Sequence, residues 1–268
     1  PPKNVISKIK KKYKKILVRV PCRLNAAILD MTKLCLSGQT PRCEAGSISF
    51  GCNLFAYAKV ELLDKPEVII EKGSTRSIII KHIALLLKKL LRYKDGFKIK
   101  AWDHGYHHIG LGSTAALEDA VGFAINLALG NPIPDRWLIK ILAYNYGEES
   151  EDKDLLFPGQ ATGASGWVAK RGGIVVVSSF AELIHRSELP SGYKIIIGSP
   201  IKRGRGIATS EVENPNLDIL RHYDRFMAAR ICYWTLMDFI PACINQDVEK
   251  MGDIIWDMMV TSGKGLPT

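Results

Sequence analysis

The residues best suited to chemistry lie together in Gly110-Leu111-Gly112-Ser113-Thr114, just ahead of Ala115 and Ala116. Two glycines let the main chain approach an anion closely. A helix starting there offers unpaired N–H groups and the positive end of its dipole. Ser113 and Thr114 add hydroxyls that suit phosphate oxygens or a Mg²⁺ ion held by the phosphate. The pattern predicts a phosphate-binding turn at Gly110, Gly112, Ser113 and Thr114, with Mg²⁺ reached through Ser113 and Thr114. The competing reading is a tight turn that only starts a helix. The dinucleotide fingerprint fails, because Ala115 stands at its third glycine, and the Walker pattern fails for want of Gly-Lys-Ser/Thr.

Other groups are weighed around this turn. Arg23 and Asp30 stand seven apart and read either as an anion clamp with a substrate- or Mg²⁺-binding carboxylate, or as an ion pair at a strand edge. Arg42 and Glu44 either grip a substrate loop or decorate a solvated turn. Arg171, beside Gly172 and Gly173, offers a guanidinium for bidentate phosphate or carboxylate recognition. Asp103, His104, His107 and His108 invite a metal reading, but the last two are adjacent and no second cluster accompanies them, so loop polarity is preferred. Arg203 and Arg205 read as a solvated loop. The six cysteines form no CxxC pair and are expected to be free thiols.

The elements that must position these residues follow from periodicity. Ile16–Val20 is β-branched and is expected to end as a strand at Pro21. Short strands are expected within Ser47–Leu63. Thr75–Tyr93 places Ile79, Ile83, Leu86, Leu87 and Leu90 at helical spacing, and Phe97–Trp102 alternates as a half-buried strand. Helices are expected over Thr114–Leu129 and Asp135–Tyr146, with an acidic loop at Glu148–Lys153. Gly172–Ser179 and Tyr193–Gly198 read as strands. Helices close the chain over Pro215–Cys243, broken near Pro241, and over Asp247–Met259, with Trp234, Phe239 and Trp256 in the core. Interspersed strands and helices predict an α+β fold with βαβ-type crossings and a helical C-terminal part.

The 268 residues, 47% of them hydrophobic, suffice for one large core or two fused halves. The net charge of +10 suits an anionic substrate or nucleic acid. Much of the excess is the lysine run at Lys3, Lys8, Lys10, Lys11, Lys12, Lys14 and Lys15, read as a solvated, partly frayed arm. No nucleic-acid motif accompanies it, so nucleic acid is not the expected partner. No continuous apolar run reaches membrane-spanning length and the N-terminus lacks a signal peptide's apolar region, so a cytoplasmic location without a membrane is expected. The chain stops at Gly263–Thr268, which reads as the start of a loop, so the second half is expected to be incomplete.

The turn resembles the second motif of the GHMP kinases, GLGSS-A-A. The resemblance sharpens toward the archaeal beta-ribofuranosylaminobenzene 5′-phosphate synthases (beta-RFAP synthases). Pro21–Met31 resembles that family's S-R-L-H-F-x-L-I-D-L, and Arg42–Ile48 its R-x-D-G-G-I-G. Thr162–Val175 is similar to S-G-I-G-x-A-A-F-x-R-G-G-F-I-V, and Phe239–Gly252 to P-A-L-x-x-x-D-x-x-x-F-G. Asn25 replaces a histidine, Glu44 replaces an aspartate, and the last glycine-rich motif is missing. What the resemblance implies is a GHMP-kinase-like two-lobed fold, with an N-terminal domain over residues 1–160 carrying the phosphate turn and a C-terminal domain over 161–268, and a homodimer. It further implies transfer of ribosyl 5-phosphate from phosphoribosyl diphosphate to 4-aminobenzoate or 4-hydroxybenzoate with loss of diphosphate and CO₂. Arg23, Asp30 and Arg171 would then be catalytic, and Arg42, Glu44, Ser165 and Gly166 substrate-binding, with Mg²⁺ as cofactor. The alternatives are an ATP-dependent small-molecule kinase and a non-catalytic binding protein of the same fold. Val168 stands where many GHMP kinases carry the aspartate of S-G-x-D, and an aliphatic side chain neither accepts nor orients a proton.

Overall fold

The computed structural model describes residues 5–33, 43–106, 110–150, 152–198 and 216–261, the last stretch with side chains from 221 onward. Arg42, Cys35, His107, His108, Arg203 and Arg205 lie outside the described residues.

The frame is a six-stranded sheet. Its longest members are β1 (Lys15–Ile28) and β2 (Ser47–Leu62), paired antiparallel along their length. The other edge of β2 is shared: its C-terminal half pairs with β4 (Phe97–Trp102), its N-terminal half with β7 (Ile174–Ser178). Short β3 (Val68–Ile70) runs parallel to β4, and the helix between them, α1 (Ser77–Leu90), makes one βαβ crossing. β8 (Glu182–Ser187) pairs antiparallel with β7 at the far edge. A two-stranded ribbon, β5 (Gly147–Glu149) with β6 (Leu156–Pro158), stands apart. The helices are α2 (Ser113–Ala128), α3 (Asp135–Tyr144), α4 (Ala164–Arg171), α5 (Asn216–Trp234), α6 (Ile240–Ile244) and α7 (Val248–Thr261).

Two cores flank this sheet. The larger packs α1–α4 onto the inner face of β1, β2, β4 and β7, with Val60, Ile83, Phe97, Leu117, Ile125 and Val175 at its heart. The smaller covers Ala27, Leu29, Ile48, Ile174 and Val176 with Ile231, Phe239, Met251, Ile254 and Met258 from the C-terminal helices. The α+β class, the βαβ crossing and the helical C-terminal part are as the sequence predicts.

Several local expectations are corrected. β1 does not stop at Pro21 but continues to Ile28, with a register shift between Pro21 and Arg23. A bulge on a strand with only one partner tolerates a residue that lacks an N–H. Ser47–Leu62 is one strand rather than several, because its partners change along its length. Tyr193–Gly198 forms no strand: Ile196 is 93% exposed and pairs with no neighbour. The strand beyond β7 is β8 instead. The start of the acidic segment is β5, not loop. The helix from Asn216 runs through Pro241 to Ile244 by means of a five-residue π turn, Thr235–Phe239, whose widened spacing absorbs the hydrogen bond proline cannot make. Trp256 is not core: Met251, Ile254 and Met258 share the buried face of α7, and Trp256 points the other way, 69% exposed. The lysine arm is not frayed. Residues 7–13 run along the end of α2, with Lys10 and Lys12 N–H groups donating to the Leu129 and Ala128 carbonyls, while Ile6 and Ile9 pack on the large core. Arg221–Ile244 is long and apolar enough by composition to cross a membrane, with 28% of that window buried; Arg230 and Asp238 interrupt it as an apolar run in sequence.

Candidate active site at the two faces of α2

α2 starts where the phosphate turn was expected. Gly112 sets its N-terminus in a left-handed conformation (φ 60°), and a side chain there would press on Arg23, whose Cγ and Nε lie 3.2 and 3.4 Å from the place of a Cβ. Gly110 is also left-handed and faces open space. Glycine is therefore required at 112 for backbone reasons and for contact with β1.

One face of the first turn carries a paired polar network. Ser113 and Thr114 are buried. Arg76, at the head of α1, donates to the Thr114 hydroxyl and, at 3.4 Å, to that of Ser113. Its Nε lies 3.7 Å from Glu149 on β5. The Thr114 hydroxyl donates to Glu148 at 3.0 Å, and Tyr146 donates to the other oxygen of the same carboxylate. Glu118, one turn further on, accepts from the Gly147 N–H at 3.1 Å, and burial pushes its carboxyl well above the usual range. Arg76 pays for its place with a left-handed backbone (φ 50°), a conformation that non-glycine residues adopt mainly where surrounding structure imposes it.

The other face opens on a narrow cleft between α2, α3, α4 and β1, whose free space of about 20 Å³ is that of roughly one water molecule. Arg23, Ala115, Asp119, Thr162, Ser165 and Gly166 are among its walls. Three of them present buried polar atoms without hydrogen-bond partners: Arg23 Nε, Asp119 Oδ2 and Ser165 Oγ. Burial pushes Asp119 up to about 7, against the pull of the neighbouring Ser165 hydroxyl and of the Arg23 and Lys170 cations. Gly166 packs α4 onto α3, since a Cβ there would fall 2.8 Å from Ile139 Cγ1.

The structure thus brings Arg23, Gly112, Ser113, Thr114, Ser165 and Gly166 to one helix and its flanks. It places others elsewhere. Asp30 accepts from the Thr32 N–H and hydroxyl in a capping turn; the next N–H, of Met31, donates to Asp224 on α5, so this segment is tied to the small core. Arg171 is exposed at the end of α4, where its carbonyl accepts from Arg186. The Glu44 carbonyl accepts from the Ser179 hydroxyl. Val168 is fully buried in the large core. Asp103 and His104 accept from the N–H groups of Gly105 and Tyr106 within their own turn. Sequence reasoning missed Arg76, Asp119 and the role of Glu148. A signal for Asp119 existed: Glu118-Asp119 are the only acids in α2 and sit between the apolar stretches Ala115–Leu117 and Ala120–Ile125, and acids inside an apolar helix are rarely spent on packing.

A Mg²⁺ ion fits the first face by donor chemistry. Among the described residues no group of three His, Cys, Asp or Glu is arranged to hold a metal alone. Mg²⁺ needs less, commonly one carboxylate with substrate phosphates and water. The Thr114 hydroxyl and Glu148 carboxylate at the mouth of the turn supply such a half-shell.

The chain is an α+β protein whose candidate site lies at the head of α2. Residues 77–153, which hold α1, α2, Thr114 and Glu148 and begin one residue after Arg76, match the GHMP kinases N terminal domain. No curated protein matches the chain by sequence. Solved structures share its fold: a mevalonate diphosphate decarboxylase from Legionella pneumophila, 18% identical, TM-score 0.54, over 93% of this chain and 77% of that one; homoserine kinase from Cytophaga hutchinsonii, 16% identical, TM-score 0.55, over 92% and 72%; and phosphomevalonate kinase from Streptococcus pneumoniae, 11% identical, TM-score 0.58, over 94% and 80%.

Proposed function

We propose that this chain is a group-transfer enzyme of the GHMP superfamily. It holds the Mg²⁺ complex of a diphosphate-bearing donor at the Gly110–Thr114 turn and an acceptor in the cleft beneath Arg23. The observation that carries this reading is the Arg76–Thr114–Glu148 network at the N-terminus of α2. It gathers a cation, a hydroxyl and a carboxylate around free helix N–H groups, the set needed where negative charge develops on a departing diphosphate or a transferred phosphoryl group. Mg²⁺, when bound, neutralises that charge. Arg76 orients the two hydroxyls, and the turn N–H groups bind the phosphate oxygens.

The resemblance of Pro21–Met31, Thr162–Val175 and Phe239–Gly252 to the beta-RFAP synthases supports phosphoribosyl diphosphate as donor and 4-aminobenzoate or 4-hydroxybenzoate as acceptor. Arg23, whose stem lies against Gly112 and whose Nε is unpartnered, is placed for the aryl carboxylate or the ribose phosphate. A second reading, an ATP-dependent kinase of a small hydroxyl-bearing molecule, is favoured by the match of residues 77–153 to the GHMP kinases N terminal domain. One ³¹P NMR experiment with Mg²⁺ separates them. Diphosphate released from phosphoribosyl diphosphate only when the aromatic acid is present supports the synthase; ADP released from ATP only with an added acceptor supports the kinase. Silence in both mixtures, with no binding of Mg²⁺-diphosphate, refutes the transfer site.

A further inference from the structure

We infer that Asp119 is the carboxylate that holds the acceptor's hydroxyl or amino group, the task that Val168 is unable to perform. The inference rests on the transfer-site reading above and names a residue that reading does not use.

Position argues first. Ala115 and Asp119 stand four apart on α2 and line the same wall of the cleft. Thr114 lies at the top of the same helix, so Asp119 stands five residues, about 7.5 Å of helix rise, beyond the donor turn. Arg23 joins the two regions, because its side chain touches the place of a Gly112 Cβ and also walls the cleft. The cleft as it stands admits only one polar group of an acceptor at Asp119, and the rest of that molecule would lie outside it, toward Arg23 and the turn.

Unmet bonding argues second. Asp119 is 4% exposed, and neither its Oδ2 nor Ser165 Oγ nor Arg23 Nε makes a hydrogen bond of normal length, although the Ser165 hydroxyl stands near enough to draw on the carboxylate. A buried carboxylate left in this state costs stability. Proteins keep such groups chiefly where a ligand or an internal water completes them. The cleft presents one cationic donor, one hydroxyl and one carboxylate acceptor, which complements a small molecule carrying an acidic or anionic end and an O–H or N–H donor.

Removal of the alternative base argues third. Val168 is fully buried and its Cγ1 lies 3.3 Å from the place of a Gly51 Cβ, so the segment that carries an aspartate in many GHMP kinases is here part of the core. Asp119 reaches the Ser165 end of that same helix from the opposite side. The charged or titratable groups facing it are Arg23 from β1, Lys170 from α4, and Glu118 on its own helix, with Tyr146 across the cleft. Burial raises Asp119 to about 7, so it becomes a strong hydrogen-bond acceptor as pH rises through neutrality.

The test uses the full chain with Mg²⁺ and inorganic diphosphate, and calorimetric titration of two matched pairs: 4-hydroxybenzoate against benzoate, and L-homoserine against 2-aminobutyrate. The expected result is that in at least one pair the hydroxyl-bearing member binds about tenfold or more tightly, as hydrogen bonds to charged groups typically provide. That preference grows from pH 6 to pH 8 and disappears in Asp119→Asn. The same variant keeps or raises its melting temperature at pH 8, because it no longer buries a charge; Asp119→Leu does likewise. Equal binding within both pairs overturns the inference. So does a preference retained in Asp119→Asn, or a melting temperature lowered in both variants with the preference intact, which would make Asp119 a structural residue bridged by water. Wild-type protein that fails to bind Mg²⁺-diphosphate at all overturns the donor site itself, and is read separately from the acceptor titrations.

Discussion

α2 presents two faces that differ in a telling way. On one, the charged groups have partners, Arg76 in Thr114, Ser113 and Glu149 and Glu148 in Thr114 and Tyr146, although Arg76 Nε, 3.7 Å from Glu149, makes no hydrogen bond of its own among the described residues. On the other, Arg23, Asp119 and Ser165 face a cleft with polar atoms unmatched. The paired face is preorganised, as a site must be whose donors have to be in place before charge develops. The unpaired face is costly in the free protein and regains that cost only when something binds. Under the proposed function, the contrast would match pre-formation to the constant part of the reaction, a diphosphate and its metal, and unmet bonding to the part that varies, the acceptor.

The comparison breaks most severely at Glu148 and Thr114. Glu148→Gln or Thr114→Val is expected to lower kcat at least about 100-fold, the scale of losing one preorganised stabilising group, with little change in melting temperature. A change below about threefold would strip the paired face of its chemical role. Arg76→Ala should act on stability as well as activity. It leaves Glu149 buried without its cation, which costs about 3–5 kcal/mol; denaturant unfolding measures it, and a loss under about 1 kcal/mol would show that Arg76 is not integral to the network. Gly112→Ala combines left-handed strain with pressure on Arg23 and is expected to cost about 1–2 kcal/mol and to weaken Mg²⁺-diphosphate binding.

The unpaired face is sharpened by pH. Asp119 is ordinarily a carboxyl of pKa 3.8 and is raised to about 7 in the fold. Below about 4 it is neutral folded or unfolded and adds no penalty. Between about 4 and 7 the unfolded chain ionises first, so Asp119 subtracts stability progressively as pH rises, and the penalty is constant above about 7. Melting curves of wild type against Asp119→Asn across pH 4–8 should therefore diverge in favour of the variant; parallel curves would place Asp119 in a wetter setting than the structure shows. Arg171→Ala, at the exposed end of α4, should have the smallest effect, within about 0.5 kcal/mol in stability and near wild type in kinetics. A large loss of activity with the fold intact would return Arg171 to the site.

Much of the frame was legible without coordinates. Phe97–Trp102 is a strand with alternate residues buried, and Ile79, Ile83 and Leu87 share the buried face of α1, because local periodicity of apolar residues is what burial selects. The strand expected at Tyr193–Gly198 failed for the opposite reason. Its apolar run is as convincing as that of β7, but a strand needs an edge to pair with, and local sequence does not reveal which edge is free. Pro21 and Pro241 misled in the same way, one absorbed by a bulge and the other by a π turn that the surrounding contacts support.

For the site, the sequence by itself determined the glycine turn that opens α2. Gly110, Gly112, Ser113 and Thr114 are contiguous, and a strand–turn–helix junction is a local structure that local residues specify. It also determined that Val168 could not act as a base, since side-chain chemistry is independent of fold. Only the tertiary structure decided what surrounds the turn. Arg76 comes from the head of a helix 37 residues before Ser113, Glu148 from a strand 34 residues after Thr114, and Arg23 and Ser165 from β1 and α4. Their convergence depends on sheet pairings over long sequence separations, and the character of Asp119 depends on a burial that no short window of sequence contains.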